Sequence, residues 1–307
     1  MQKIYIAGHR GLVGTALTRA IDLRKEIEWV GLGRENLDLL DRKAVFHFLA
    51  EEKPDAVIVA AARVGGIMAN STFPVEFLSE NLRIMTNLLD GSHAANIDRL
   101  LFLGSSCIYP RMSTQPIKED YLLTGALEPT NEAYALAKIS GLKLVQAYRK
   151  QFGRNWISAM PTNLYGPGDN FDLESSHVLP AMIRKFHDAK VNNRSSVELW
   201  GTGSPMREFL HVDDLADACL FLLEKYNEEM PINVGTGTDV TIKELAELIR
   251  SVVDFQGQIM WDSSRPDGTP RKLLDVSKIN SLGWRYRTNL KTGLLSTYEY
   301  FHMNRTI

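Results

Sequence analysis

Short, almost wholly apolar runs alternate with amphipathic stretches through the first half of this 307-residue chain. IYIA at 4–7 precedes a helical pattern from about Leu12, and WVGL at 29–32 precedes another from about Arg42. AVIVAA at 56–61 precedes a long helical stretch from Val75 to about Ala95, after which LLFLG at 100–104 reads as a fourth buried strand. Strands this apolar have no polar face to offer to water, so both faces must be covered. Strand and helix alternating at this period therefore predict an α/β fold, a Rossmann-type doubly wound parallel sheet with helices on both faces.

Beyond Pro161 the rhythm breaks. A Gly/Pro/Asn/Asp cluster, NLYGPGDN at 163–170, is followed by a helix near 178–190 and by loops around GTGSPMR and SRPDGTPR. From Phe209 to Gly235 helix-then-strand patterning returns, so the two regions are expected to interleave. The reading is a nucleotide-binding domain over 1–165 plus about 209–235, and a smaller α/β substrate-binding domain over 166–208 and 236–307. No internal repeat or low-complexity tract interrupts either.

Charge and cysteine content narrow the function classes. Lys plus Arg number 35 against 37 Asp plus Glu, and a net charge of -2 supplies no field to hold nucleic acid or an anionic membrane, so neither is expected as a partner. Cys107 and Cys219 are too few for a disulfide framework and lack the paired spacing of a zinc site, so no metal is expected. Ile4–Ala7 is too short for a signal peptide, and the longest other apolar run, Ala56–Ala62, is bounded by Asp55 and Arg63. A cytoplasmic protein is the expectation.

The first candidate chemistry lies in GHRGLVG, Gly8 to Gly14, directly after the first strand and at the start of a helix. Gly8, Gly11 and Gly14 carry no side chains there, so backbone N–H groups at a helix amino terminus can approach a pyrophosphate; an ordinary tight turn is the plainer alternative. An NAD site usually places Asp or Glu at the end of the second strand, to bind the adenosine ribose. Here that strand runs into Gly-Leu-Gly-Arg, and Arg34 with Arg10 could clamp the extra phosphate of NADP(H). Two surface arginines are the alternative, and Glu35 stands next door.

Tyr134 and Lys138 lie four apart in NEAYALAKISG, a good helix sequence, and so share a face. The spacing alone proves little, since a packed tyrosine beside a solvated lysine would give it too. The surroundings add weight: Gly-Ser-Ser-Cys follows the fourth strand, which puts Ser105 at the carboxyl edge where parallel sheets hold ligands. Reducing a ketone leaves an alkoxide that needs a proton. Tyr134 could donate it with Lys138 lowering its pKa, while Ser105 hydrogen-bonds the carbonyl. Cys107, two residues beyond Ser105, faces the same way if strand geometry persists; otherwise it reads as a small core residue.

With these motifs the chain resembles the extended short-chain dehydrogenase/reductase family, over nearly its whole length. The strings LGSSCIYP, LEPTNEAYALAK, MPTNLYGPGDNF, SHVLPA, REFLHVDDLA and PDGTPRKLLD are similar to the branch that acts on GDP-4-keto-6-deoxymannose. That branch inverts C3 and C5 of the sugar before NADPH reduces the C4 ketone. The resemblance implies that Cys107 and His177 are the base and acid of the epimerisation. It implies cofactor contacts from Gly8, His9, Arg10, Gly11, Leu12, Val13 and Gly14, and from Arg34. Further along it implies Leu103, Gly104, Ser105 and Ser106, then Lys138, then Pro161, Thr162, Asn163 and Leu164, and His177. For the GDP-sugar it implies Lys185, Trp200, Arg207 and Asp267, with Lys185 standing where some relatives have arginine. It also implies a homodimer built on the long helices near 75–95 and 132–151.

Three rival readings remain at this stage. One is a related nucleotide-sugar reductase or 4-epimerase, such as a GDP-colitose synthase. Another, a sugar-nucleotide dehydratase, is disfavoured because those enzymes carry an Asp-Glu pair where this chain has Ser106 and Cys107. The third, a non-catalytic NADP-binding redox sensor, would have no need of Tyr134 as a proton donor.

Overall fold

The computed structural model describes residues 2–265 and 267–304. The chain opens with β1 (Lys3–Ala7), α1 (Leu12–Asp22), β2 (Glu28–Val30), α2 (Arg42–Glu52) and β3 (Ala56–Val59). A short α3 (Ile67–Thr72) and the 21-residue α4 (Pro74–Ala94) lead to β4 (Arg99–Leu103), and α5 (Glu132–Phe152) leads to β5 (Asn155–Pro161). The middle of the chain holds β6 (Asn163–Tyr165), α6 (Val178–Val191), β7 (Ser196–Trp200), β8 (Met206–Arg207), β9 (Phe209–His211), α7 (Val212–Lys225) and β10 (Ile232–Val234). The last part holds β11 (Val240–Thr241), α8 (Ile242–Val253), β12 (Gln258–Asp262), β13 (Arg271–Lys272), α9 (Ser277–Ser281) and α10 (Leu290–Asn304).

Six strands form one parallel sheet in the order β10-β5-β4-β3-β1-β2. Every residue of β3, and all but the first of β1 and β4, is buried, which is why these runs carry no alternation. From β1 the chain first adds β2 on one side and then β3 on the other. Strand order therefore reverses between β1 and β3, and a crevice opens beyond their carboxyl ends. The AVIVAA run leaves the ladder after Val59 instead of continuing to 61. Gly8 explains this: its φ is +89°, and a Cβ there would lie 2.8 Å from the Ala61 backbone. Backbone pairing ends with the Ala60 N–H, which donates to the Ala7 carbonyl at 3.0 Å, where the two strand ends cross closely.

Helix α5 packs against α4 and the sheet. Gly141 lets it approach, since a Cβ at that position would stand 2.5 Å from the Phe102 ring. Gly153, in the left-handed region at φ +68°, ends the helix and donates its N–H to the Arg149 carbonyl.

Two separate apolar clusters fill the molecule. The larger surrounds the six-stranded sheet; the smaller gathers Leu179, Ile183 and Phe186 of α6, Leu245 and Ile249 of α8, and Leu294 of α10. Residues Leu274, Val276, Ile279 and Trp284 belong to the larger cluster, so the chain returns to the sheet after β13. Glu208, fully buried between β8 and β9, accepts hydrogen bonds from the backbone N–H groups of Thr236 (2.6 Å), Gly237 (2.7 Å) and Leu274 (3.0 Å). Among the described residues no helix is long and apolar enough to cross a membrane.

Candidate active site

The glycine loop caps the crevice, and its three glycines meet different demands. Gly8 needs its positive φ, and Gly14 needs space, because a Cβ on it would lie 2.1 Å from the Gly8 carbonyl oxygen. Gly11 has an ordinary φ of -78°, and a Cβ on it would meet nothing closer than 3.4 Å. The fold itself does not require glycine at 11, whereas a ligand backed against the loop would. Gly11 is also the N-cap of α1 and gives no side-chain hydrogen bond, so the first N–H groups of that helix, at Leu12, Val13 and Gly14, point outward without an intrahelical partner. This loop fits a dinucleotide diphosphate.

Beside it lie the two arginines. Arg10 pairs with Glu35 at 2.6 Å and Arg34 with Asp38 at 3.8 Å, all four side chains largely exposed. The carboxylate next to the second strand, Glu35, is thus engaged by Arg10, and its pKa is held down by its own backbone N–H and by that guanidinium. His9 packs on Trp29, with ring centroids 5.9 Å apart, and its Nδ1 is buried without a partner.

At the carboxyl end of β4 the structure alters one step of the expectation. Strand geometry does not persist from Ser105 to Cys107: Ser105 is extended, and a 3₁₀ turn over Ser106–Ile108 begins at once, with the Cys107 N–H donating to Ser105 Oγ at 3.2 Å. Both side chains nevertheless bear on Tyr134, the Ser105 hydroxyl favouring its ionised form and the Cys107 sulfur opposing it. The turn, not the pleat, brings them together.

One helical turn after Tyr134, Lys138 is 3% exposed, donates from Nζ to the Leu103 carbonyl at 2.7 Å, and lies 5.7 Å from the Tyr134 ring centroid. Burial pushes its pKa down to about 8. The expected lowering of the Tyr134 pKa by Lys138 is not found: burial raises it, with only the nearby Ser105 hydroxyl opposing. A phenol that keeps its proton at neutral pH is the form a ketone reduction consumes.

The remaining cofactor candidates line the same edge. Gly104 passes so close to Met160 that a Cβ would sit 2.4 Å from its sulfur, and Ser106 is buried. Pro161 ends β5 beside Val234 of β10. The next side chains turn inward, Thr162 Oγ1 and Asn163 Nδ2 both donating to the Glu208 carbonyl, at 3.3 and 2.8 Å, while Leu164 packs against the main core.

Cys107 is half-buried and has two donors on its sulfur, Asn131 Nδ2 at 3.3 Å and Lys272 Nζ at 3.6 Å. His177 is the N-cap residue of α6. Water reaches it, yet protein walls surround it closely enough that partial desolvation, and then the charge of Lys272, push its pKa down. Lys272 was not singled out in the sequence, where it is one of 35 basic residues. Its place follows from pairing no sequence pattern reveals, since the two-residue β13 aligns Lys272 with Arg207 of β8.

Farther out, Trp200 is 48% exposed, with Lys185 Nζ 5.6 Å and Arg265 Cζ 5.0 Å from its ring. Lys185 also donates to the Glu198 carbonyl at 3.1 Å, and burial lowers its pKa, as it does for Arg207. Asp267 braces the loop after Trp200, accepting from the Thr202 N–H and hydroxyl, each at 2.8 Å. Arg265 is a second residue that sequence reasoning passed over.

Residues 4–235 match the model of the NAD dependent epimerase/dehydratase family. The chain belongs to this family. A family member from Arabidopsis thaliana, putative GDP-L-fucose synthase 2, is 56% identical over 98% of this chain and 92% of its own length. GDP-L-fucose synthase of Escherichia coli K12 is 50% identical over 99% of this chain and 98% of its own. Among solved structures, the GDP-mannoheptose C4 reductase from Campylobacter jejuni with NADP bound superposes with a TM-score of 0.90 at 38% identity, covering 98% of each chain. The family's cofactor is consistent with the open helix terminus and with the space kept at Gly11.

Proposed function

We infer that the protein forms GDP-L-fucose from GDP-4-keto-6-deoxymannose, inverting C3 and C5 and reducing the C4 ketone with NADPH. The observation that carries this reading is the contiguity of two chemistries. The Ser105, Tyr134 and Lys138 group suits a reduction, Cys107 influences Tyr134, and Lys272 joins Cys107 electrostatically to His177. The names of the similar proteins support the choice of sugar.

Carbons flanking a ketone carry acidic hydrogens, so a base on one face and an acid on the other suffice to invert them. Cys107 takes the proton and His177 returns one. NADPH, when bound, supplies the hydride for C4. Ser105 orients the ketone oxygen, Tyr134 gives its phenolic proton to that oxygen, and Lys138 has N–H groups left for the cofactor ribose beyond its bond to Leu103. The α1 amides of Leu12, Val13 and Gly14 hold the diphosphate, and Arg10 with Arg34 holds the 2′-phosphate of NADPH. Lys185, Trp200 and Arg207 take the GDP portion, with Asp267 fixing the loop they share.

The same reading makes the protein a cytoplasmic homodimer. The packed α4 and α5, with Leu136 of α5 42% exposed, support a four-helix interface, and two free cysteines fit a reducing compartment. Light scattering that gives only monomer at micromolar concentration removes the dimer.

The functional test mixes protein, NADPH and GDP-4-keto-6-deoxymannose, follows nicotinamide absorbance and identifies the sugar by NMR, with Cys107→Ser beside wild type. GDP-L-fucose made by wild type and lost in the variant supports the whole sequence. Consumption of NADPH with C3 and C5 unchanged leaves a reductase and removes the roles of Cys107 and His177. No consumption removes the substrate.

A further inference from the structure

Four basic residues gather around Cys107 and Thr269, and their counter-charges differ: Arg111 pairs with Glu128 at 3.2 Å. Arg271 is held bidentately by Asp239 at 2.6 and 3.1 Å. Arg207 lies in the fields of Glu128, Asp267 and Cys107. Among the described residues Lys272 makes no ion pair within 4.0 Å, and its ammonium donates to the Cys107 sulfur at 3.6 Å. A half-buried ammonium without a counter-ion is costly, and the group beside it that can become an anion is this thiol. The other groups facing Cys107 are Arg207, Tyr134 and Ser105, the Asn131 amide, which donates to the sulfur, and, across a small cavity, Arg271, Arg111 and Glu128, the last bonded by Thr269 at 2.9 Å and Arg111 at 3.2 Å. None of these competes as a base for the Lys272 proton donors.

We propose that Lys272 is the positioning residue of the epimerisation, the counter-ion that holds Cys107 as the anionic base. This rests on the function inferred above. In the step, the thiolate takes the hydrogen beside the ketone as a proton, and the C–H electron pair becomes the enolate. The imidazolium then gives its proton to the opposite face of the same carbon. Sulfur ends protonated, imidazole ends neutral, total charge is unchanged, and water restores both before the second carbon reacts. Lys272 neither gains nor loses a proton; its ammonium stays beside the sulfur.

The test uses the full-length protein without substrate and measures the rate of Cys107 alkylation by iodoacetamide against pH. Cys107→Ser supplies the background, which is low because Cys219 is fully buried. Lys272→Met is expected to slow alkylation at neutral pH by about tenfold and to move the profile up by about one pH unit, and Lys272→Arg to stay near wild type. A Lys272→Met profile that overlies wild type overturns the proposal; Lys272→Arg keeps the test valid should the methionine variant fail to fold, since an arginine variant that behaves like Cys107→Ser also overturns it. Deuterium uptake from solvent into GDP-4-keto-6-deoxymannose without NADPH is measured in parallel and should fall in Lys272→Met. If wild type takes up no deuterium while alkylation responds to Lys272, the substrate reading fails and the ion pair stands.

Discussion

The ammonium of Lys138 donates to the carbonyl oxygen of Leu103 across 2.7 Å, tying helix α5 to the last residue of β4. This bond fixes the lysine but does not replace its lost hydration, and its pKa falls from 10.5 to about 8. Below about pH 8 folded and unfolded chains both hold this proton, and the full penalty for a buried charge applies. Between about 8 and 10.5 only the unfolded chain holds it, so stability contributed at this site rises with pH. Relative to Lys138→Met, wild type should gain on the order of 3 kcal/mol across that window. Paired urea titrations at pH 7.5 and pH 10 check this; equal differences at both would count against it.

Tyr134 stays protonated through neutral pH because burial raises its pKa. Tyr134→Phe is expected to cut NADPH consumption about 10²–10⁴-fold while deuterium uptake at C3 and C5 continues. Single-turnover absorbance with mass spectrometry of the sugar separates the two. Loss of both in a folded variant would mean that Tyr134 also serves the epimerisation.

The glycine loop yields a contrast between neighbours. Gly14→Ala forces a Cβ to 2.1 Å from the Gly8 oxygen and should leave little folded protein. Gly11→Ala finds room, so its stability should stay within about 1 kcal/mol of wild type, with NADPH binding weakened at least about tenfold. Thermal unfolding and fluorescence titration of NADPH measure the pair. Undiminished affinity in Gly11→Ala would take the diphosphate away from this loop.

Arg34 is exposed and only loosely paired with Asp38. Arg34→Ala should lower kcat/KM for NADPH by about 10–100-fold, the scale of one charge-assisted hydrogen bond, and leave NADH nearly unaffected. Equal losses with both cofactors would indicate a structural role.

The parallel sheet was legible because buried strands must be apolar throughout, and the starts of α1 at Leu12 and α2 at Arg42 agreed with expectation. Tyr134 and Lys138 could be placed on one face from helical spacing alone. Elements without a period could not be read: α3 has six residues, and β8, β11 and β13 have two each. That blindness cost the site its most informative side chain. Lys272 meets Cys107, 165 residues away in sequence, by a contact that hydrophobic patterning does not encode. The direction of the Tyr134 shift was missed for a related reason: spacing locates a neighbouring charge but not the depth of burial that outweighs it.

Glu208 joins passes of the chain that lie far apart in sequence. Its carboxylate oxygens receive the turn at Thr236 and Gly237 and the backbone of Leu274, two residues from Lys272. A disturbance in the turn after β10 is thus transmitted to the strand that faces Cys107 without crossing the crevice. Glu208 precedes Phe209 of the smaller cluster and bonds Leu274 of the larger one, so heating is expected to loosen these passes of the chain together.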